Sequence, residues 1–158
     1  MNLHIISCQV VYREMSMAAA MSPNHTTITW VPQGLHTEPE KMPAALQAEI
    51  DRIEEKIAAG KFRCPPEAIV LGYGLCSNGT VGLKARNIPL VIPRTDDCIA
   101  LFLGSQQTYL DLFRKHPGTY WVNGGWIEET ELPSPEKYRK MREEFVELYG
   151  EDNADFLM

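Results

Sequence analysis

Four cysteines, at positions 8, 64, 76 and 98, are the side chains here with the widest chemical reach. No two of them form a C-x-x-C pair. A zinc ribbon and a thioredoxin-type motif are therefore excluded on spacing, and any shared site has to be assembled by the fold. Cys76 stands in the turn Gly72-Tyr73-Gly74-Leu75-Cys76-Ser77-Asn78-Gly79, directly after the apolar run Ala68-Ile69-Val70-Leu71. Thiolates are the natural ligands of zinc and of iron–sulfur clusters. Cys8, Cys76 and Cys98 together could hold either. With His36 as a fourth ligand they close a tetrahedral zinc site; without it they leave one position open for ligand capture. Gly72, Gly74 and Gly79 would let the backbone pass close to the metal and aim amide N–H groups at the sulfurs. Glu14, near Cys8, reads either as an acceptor behind the ligands or as a solvated helix residue. Asp97, beside Cys98, reads either as part of that surround or as the cap of a following helix. Cys64, between Arg63 and Pro65, reads as structural.

Two other chemistries compete. A strand, a turn and a cysteine resemble a nucleophile elbow, with Cys76 attacking, His36 as base and Asp97 or Glu14 orienting it. The pattern Gly74-x-Cys76-x-x-Gly79 is one residue off the usual elbow spacing. Alternatively, the glycine turn cradles an anion, with Arg94 as counter-charge. It is neither a Walker loop, since the Lys-Ser/Thr ending is missing, nor the dinucleotide fingerprint, whose third glycine is misplaced here. His4, His25 and His116 read as ordinary strand or loop residues. Trp126, in Gly124-Gly125-Trp126, reads either as a wall of the site or as an anchor for the last helix.

The elements that would position these residues follow from periodicity. Apolar or β-branched runs at 3–11, 26–31, 68–71, 89–93 and 119–122 read as strands. Helices are expected at 14–21, 38–59, 81–86, 105–115 and 135–149. The second is the clearest: Leu46, Ile50, Ile53 and Ile57 make an amphipathic stripe closed by Gly60. Strands alternating with helices predict a three-layer, Rossmann-like α/β fold, with a mainly parallel sheet and helices on both faces. Ligands of such sheets bind beyond the carboxyl ends of the strands. Cys8, His36, Cys76, Cys98 and Trp126 all fall just past expected strand ends.

With 158 residues the expectation is a single domain over 1–158. The formal charge of −6 and the lack of a basic run argue against nucleic acid or an anionic membrane as partner. No apolar run approaches the roughly 20 residues of a membrane span. The N-terminal run 3–6 has no charged region before it and reads as fold, so a cytoplasmic location is expected.

Together, the glycine turn, the segment Asp97-Cys98-Ile99-Ala100-Leu101-Phe102-Leu103-Gly104-Ser105 and the stretch from Pro117-Gly118-Thr119-Tyr120 to Gly125-Trp126-Ile127-Glu128 resemble domain-of-unknown-function family 1638. The resemblance runs from Cys8 to Ala154 and includes the Gly34-Leu35-His36 turn. It implies a protein of anaerobic bacteria or archaea. It also implies an accessory role beside corrinoid or methyltransferase proteins in one-carbon metabolism. Members of that family run longer, which implies a short member or a fragment.

Overall fold

A computed structural model describes residues 1–36, 38–130 and 134–158, with the backbone alone at 34 and 36. Strand β1 (Asn2–Cys8) is followed by helix α1 (Tyr12–Met21), and β2 (His25–Val31) by α2 (Met42–Ala58). Then come β3 (Ala68–Gly72), β4 (Leu90–Val91), α3 (Cys98–Phe102), α4 (Gln106–Lys115), α5 (Gly124–Glu129), α6 (Pro135–Tyr149) and α7 (Glu151–Leu157). Among the described residues the four strands form one all-parallel sheet in the order β2-β1-β3-β4. The chain moves from β1 outward to β2, then crosses back to place β3 on the other side of β1. Right-handed crossovers put α1 and α2 on opposite faces. The result is the expected Rossmann-like α/β architecture, and its topological switch point lies between β1 and β3.

Burial follows the sequence pattern. Met42, Leu46, Ile50 and Ile53 of α2 are fully buried and meet Ile6, Cys8, Ile69, Leu71 and Tyr73 in one core. Every second residue of β1 and β3 faces this layer, as strand geometry requires. Glu54 on α2 is buried too, but its carboxylate accepts the backbone N–H groups of Asn87 and Ile88 at 2.9 and 3.1 Å. A buried charge is tolerated when hydrogen-bonded in this way.

His4 is a buried titratable group of β1. Its ring nitrogens bond the Thr27 and Thr29 hydroxyls at 2.7 and 2.9 Å. Burial first, then the charges of Arg52 and Lys56, lower its pKa to about 4. The unfolded chain therefore binds a proton that the native state refuses, so stability contributed above about pH 6.5 is lost as pH falls toward 4. In urea unfolding, His4→Gln is expected to flatten the drop in midpoint between pH 7 and 4.5. An unchanged pH slope would contradict the assignment.

Two expected elements are absent. Residues 81–86 form no helix: 81–82 end a turn and 83–86 run as irregular loop, with Gly82 at φ +82° and Val81 exposed. That backbone conformation ends any helix. Residues 119–122 pair with no strand. They run as a loop whose aromatic rings pack on Tyr109 and Trp126. The short helix α3 is the one that a cap at Asp97 implies, and the short helix α5 has no counterpart among the expected elements. Asp97 caps α3, accepting from Ile99 and Ala100, and Asn123 caps α5, accepting from Trp126. Ser105 caps α4 as its sequence position suggests. No helix among the described residues is long and apolar enough to cross a membrane.

Candidate functional site

The strand ends beside the switch point bring two thiols into contact and a third into their neighbourhood. Cys8 closes β1 and is fully buried. Cys76 lies in the loop after β3, and Cys98 begins α3 after β4. The last two meet: Cys76 Sγ and Cys98 Sγ are 3.4 Å apart. Cys8 is near enough to act on both electrostatically. All four cysteines are thiols rather than disulfides, and Cys64 is exposed, away from the others.

The pair is made by two loops lying side by side. The Leu75 N–H donates to the Thr95 carbonyl at 2.8 Å, and the Cys76 N–H donates to the Asp96 carbonyl at 2.9 Å. Such proximity requires glycine at position 74, because a Cβ there would lie 2.4–2.6 Å from the Asp97 backbone. The Gly74 N–H is directed at both sulfurs, and that of Val10 at the Cys8 sulfur. Beyond Gly74 the chain holds three successive non-glycine residues at positive φ, Cys76 at 45°, Ser77 at 56° and Asn78 at 66°. Left-handed conformation in L-residues costs about 1–2 kcal/mol each and rarely runs on. Strain of this kind collects at functional sites.

The thiols are electrostatically unequal. The hydrogen bond between Cys76 and Cys98 holds the Cys98 pKa below its usual value and raises that of Cys76, which burial raises further. Burial pushes Cys8 up to about 11. Tyr73 is fully buried, and its hydroxyl has no oxygen or nitrogen partner among the described residues; its neighbour is the Cys8 sulfur. Burial, then the nearby thiols, raises its pKa.

Not every expected residue reaches the site. Gly72 and Gly79 serve packing: a Cβ at Gly72 would meet Ser7 Oγ at 2.2 Å, and one at Gly79 would meet Met42 Sδ at 2.1 Å. Asp97 spends its carboxylate on the α3 cap while lining the cavity beside the thiols. Glu14 is exposed on α1 and Arg94 is exposed on its loop, and neither lines that cavity. The backbone of His36 ends a 3-10 turn (Gln33–His36), but its side chain, the expected fourth ligand, lies outside the described residues. Among the described residues no three His, Cys, Asp or Glu side chains are already grouped as metal ligands. The contact in place is the Cys76–Cys98 pair.

Above the pair opens a cavity of about 710 Å³, lined by Phe102, Tyr120, Trp121 and Trp126 as well as Asp96 and Asp97. Trp126 is held by the Asn123 cap and by α5 packing on the turn at 9–11 that follows β1. Asn123 Nδ2 donates to the Val10 carbonyl at 2.9 Å, and a Cβ on Gly125 would come within 2.1 Å of that oxygen. Trp126 thus walls the site, one of its two expected readings, and also packs against the core. The sequence signal for the other walls was the aromatic pair Tyr120-Trp121, first assigned to a strand.

No curated protein and no solved structure matches the chain. The model of one family, described as protein of unknown function, DUF1638, matches residues 30–158 and so takes in Cys76, Cys98 and the aromatic cavity walls, with Cys8, Val10 and Glu14 outside it. By that match across most of its length the chain belongs to the DUF1638 family.

Proposed function

We propose that this protein is a metal- or iron–sulfur-binding accessory protein whose ligands are the thiols of Cys8, Cys76 and Cys98. The observation that carries the reading is the arrangement of three thiols on adjacent strand ends, each sulfur receiving a backbone N–H. Amide donors to sulfur stabilise thiolates and tune metal–thiolate centres. The donor set fits zinc or a cluster in its chemistry. Cys76 and Cys98 would supply the first two thiolates and Cys8 the third, with His36 the candidate fourth. When bound, the group would supply a Lewis acid or an electron carrier. The chain's own part is to hold the thiolates by N–H donation and to keep the aromatic-walled cavity above them. Partners among corrinoid or methyltransferase proteins are part of this proposal through the family resemblance alone.

Purification without oxygen, followed by metal and sulfide analysis and an absorption spectrum, tests it. Iron with sulfide and a brown colour identify a cluster; stoichiometric zinc in a colourless protein identifies a zinc site. Protein that takes up neither, even after reconstitution, sinks the reading.

The unequal pair favours a second reading, a cysteine nucleophile. Here the thiol whose pKa is lowered is Cys98 rather than Cys76, through the hydrogen bond within the pair. A metal-free protein with one hypersensitive thiol, mapped to Cys98 by alkylation, would favour it.

A further inference from the structure

The cavity has four aromatic side chains in its lining, and among the described lining residues the fixed charges are all negative. Asp96 and Asp97 are its charged side chains apart from the thiols, and no Lys, Arg or His is among the described lining residues. Asp96 accepts only from the neutral Gln106 amide, at 2.6 Å, and Asp97 from two backbone N–H groups and the Tyr109 hydroxyl. Among the described residues neither carboxylate is in an ion pair. Two aromatic walls are fixed as a corner: the Tyr120 and Trp126 rings meet at 76°, and Trp126 Nε1 donates to the Tyr120 hydroxyl at 3.1 Å.

We propose that this cavity binds an organic cation of the alkylated ammonium class. Such a group is apolar on its surface and positive at its centre. Aromatic faces desolvate it while attracting it, and nearby carboxylates add long-range attraction. An anion would meet two carboxylates that are hydrogen-bonded but in no ion pair among the described residues, and a small hydrated metal ion would gain nothing from the rings. The cavity falls within the range of small-molecule pockets, about 300–1,000 Å³, so the ligand carries more than a bare ammonium head. The inference rests on the proposed site only in taking this cavity as its ligand space.

The test is calorimetric titration of the full chain with choline and with its neutral isostere, 3,3-dimethylbutan-1-ol. Choline is expected to saturate, with the alcohol at least about tenfold weaker. Tyr120→Leu and Asp96→Asn are each expected to weaken choline by about five- to tenfold, with an unchanged circular dichroism spectrum. Equal binding of the alcohol, no saturation by choline, or full choline affinity in both variants would overturn the proposal. Metal content measured on the same samples separates the two ideas. Metal uptake without cation binding defeats only this one, and cation binding without metal uptake defeats only the thiol site.

Discussion

Cys98→Ser is expected to lower the affinity for reconstituted zinc or iron by more than about 100-fold, beyond the 10–100-fold typical of losing a residue behind the ligands. The reason is its place in the pair. Cys98 is the thiol whose pKa is lowered, and its sulfur shares a hydrogen bond with that of Cys76 at 3.4 Å. Metal binding needs deprotonated thiols. Burial pushes Cys8 up to about 11, and Cys76 is raised as well, so Cys98 is the natural first ligand. Removing it leaves two thiols that both resist ionisation. Cys64→Ser, on the exposed cysteine, serves as the control and should leave uptake unchanged. Stoichiometric metal retained by Cys98→Ser would exclude the proposed ligand set. Uptake that survives Cys8→Ser at full strength would reduce the site to the Cys76–Cys98 pair.

Gly74→Ala should cost about 2–3 kcal/mol of stability and part the two loops that hold the thiols. Its Cβ would press on Asp97 backbone atoms 2.4–2.6 Å away, not on the end of a flexible side chain. Relief requires moving one loop, which strains the Leu75–Thr95 and Cys76–Asp96 backbone bonds. Stability and site geometry are thereby coupled at one residue. Urea unfolding gives the first quantity, and metal uptake at a concentration where the variant is folded gives the second. A variant with wild-type midpoint and wild-type uptake would refute the close approach.

Much of the scaffold was legible because it is written in local periodicity. The stripe Leu46, Ile50, Ile53 and Ile57 predicts α2 and its buried face, and the apolar run 68–71 predicts β3. Cap chemistry placed Ser105 correctly, and Asp97 in one of its two readings. Where local pattern misled, tertiary packing had the stronger claim. Residues 119–122 have strand composition, yet their rings gain more by closing over a cavity beside α4 and α5 than by extending the sheet edge. At 81–86 the missing helix turns on Gly82, whose φ of +82° is not readable from residue type alone.

The glycine turn and its cysteine were visible in the sequence, and so was the rule that strand ends in a parallel sheet converge. What the sequence by itself determined is the parallel α/β frame and the set of thiols near its carboxyl rim, because a period of two or of about 3.6 fixes which face each residue presents. Only the tertiary structure decided that Cys76 and Cys98 touch, that Gly74 alone of the three candidate glycines serves them, and that aromatic rings roof the pair. Those facts depend on the paths of loops distant in sequence. Such paths are set by non-local packing, at Gly74 against Asp97 and at Gly125 against Val10, which no local pattern encodes.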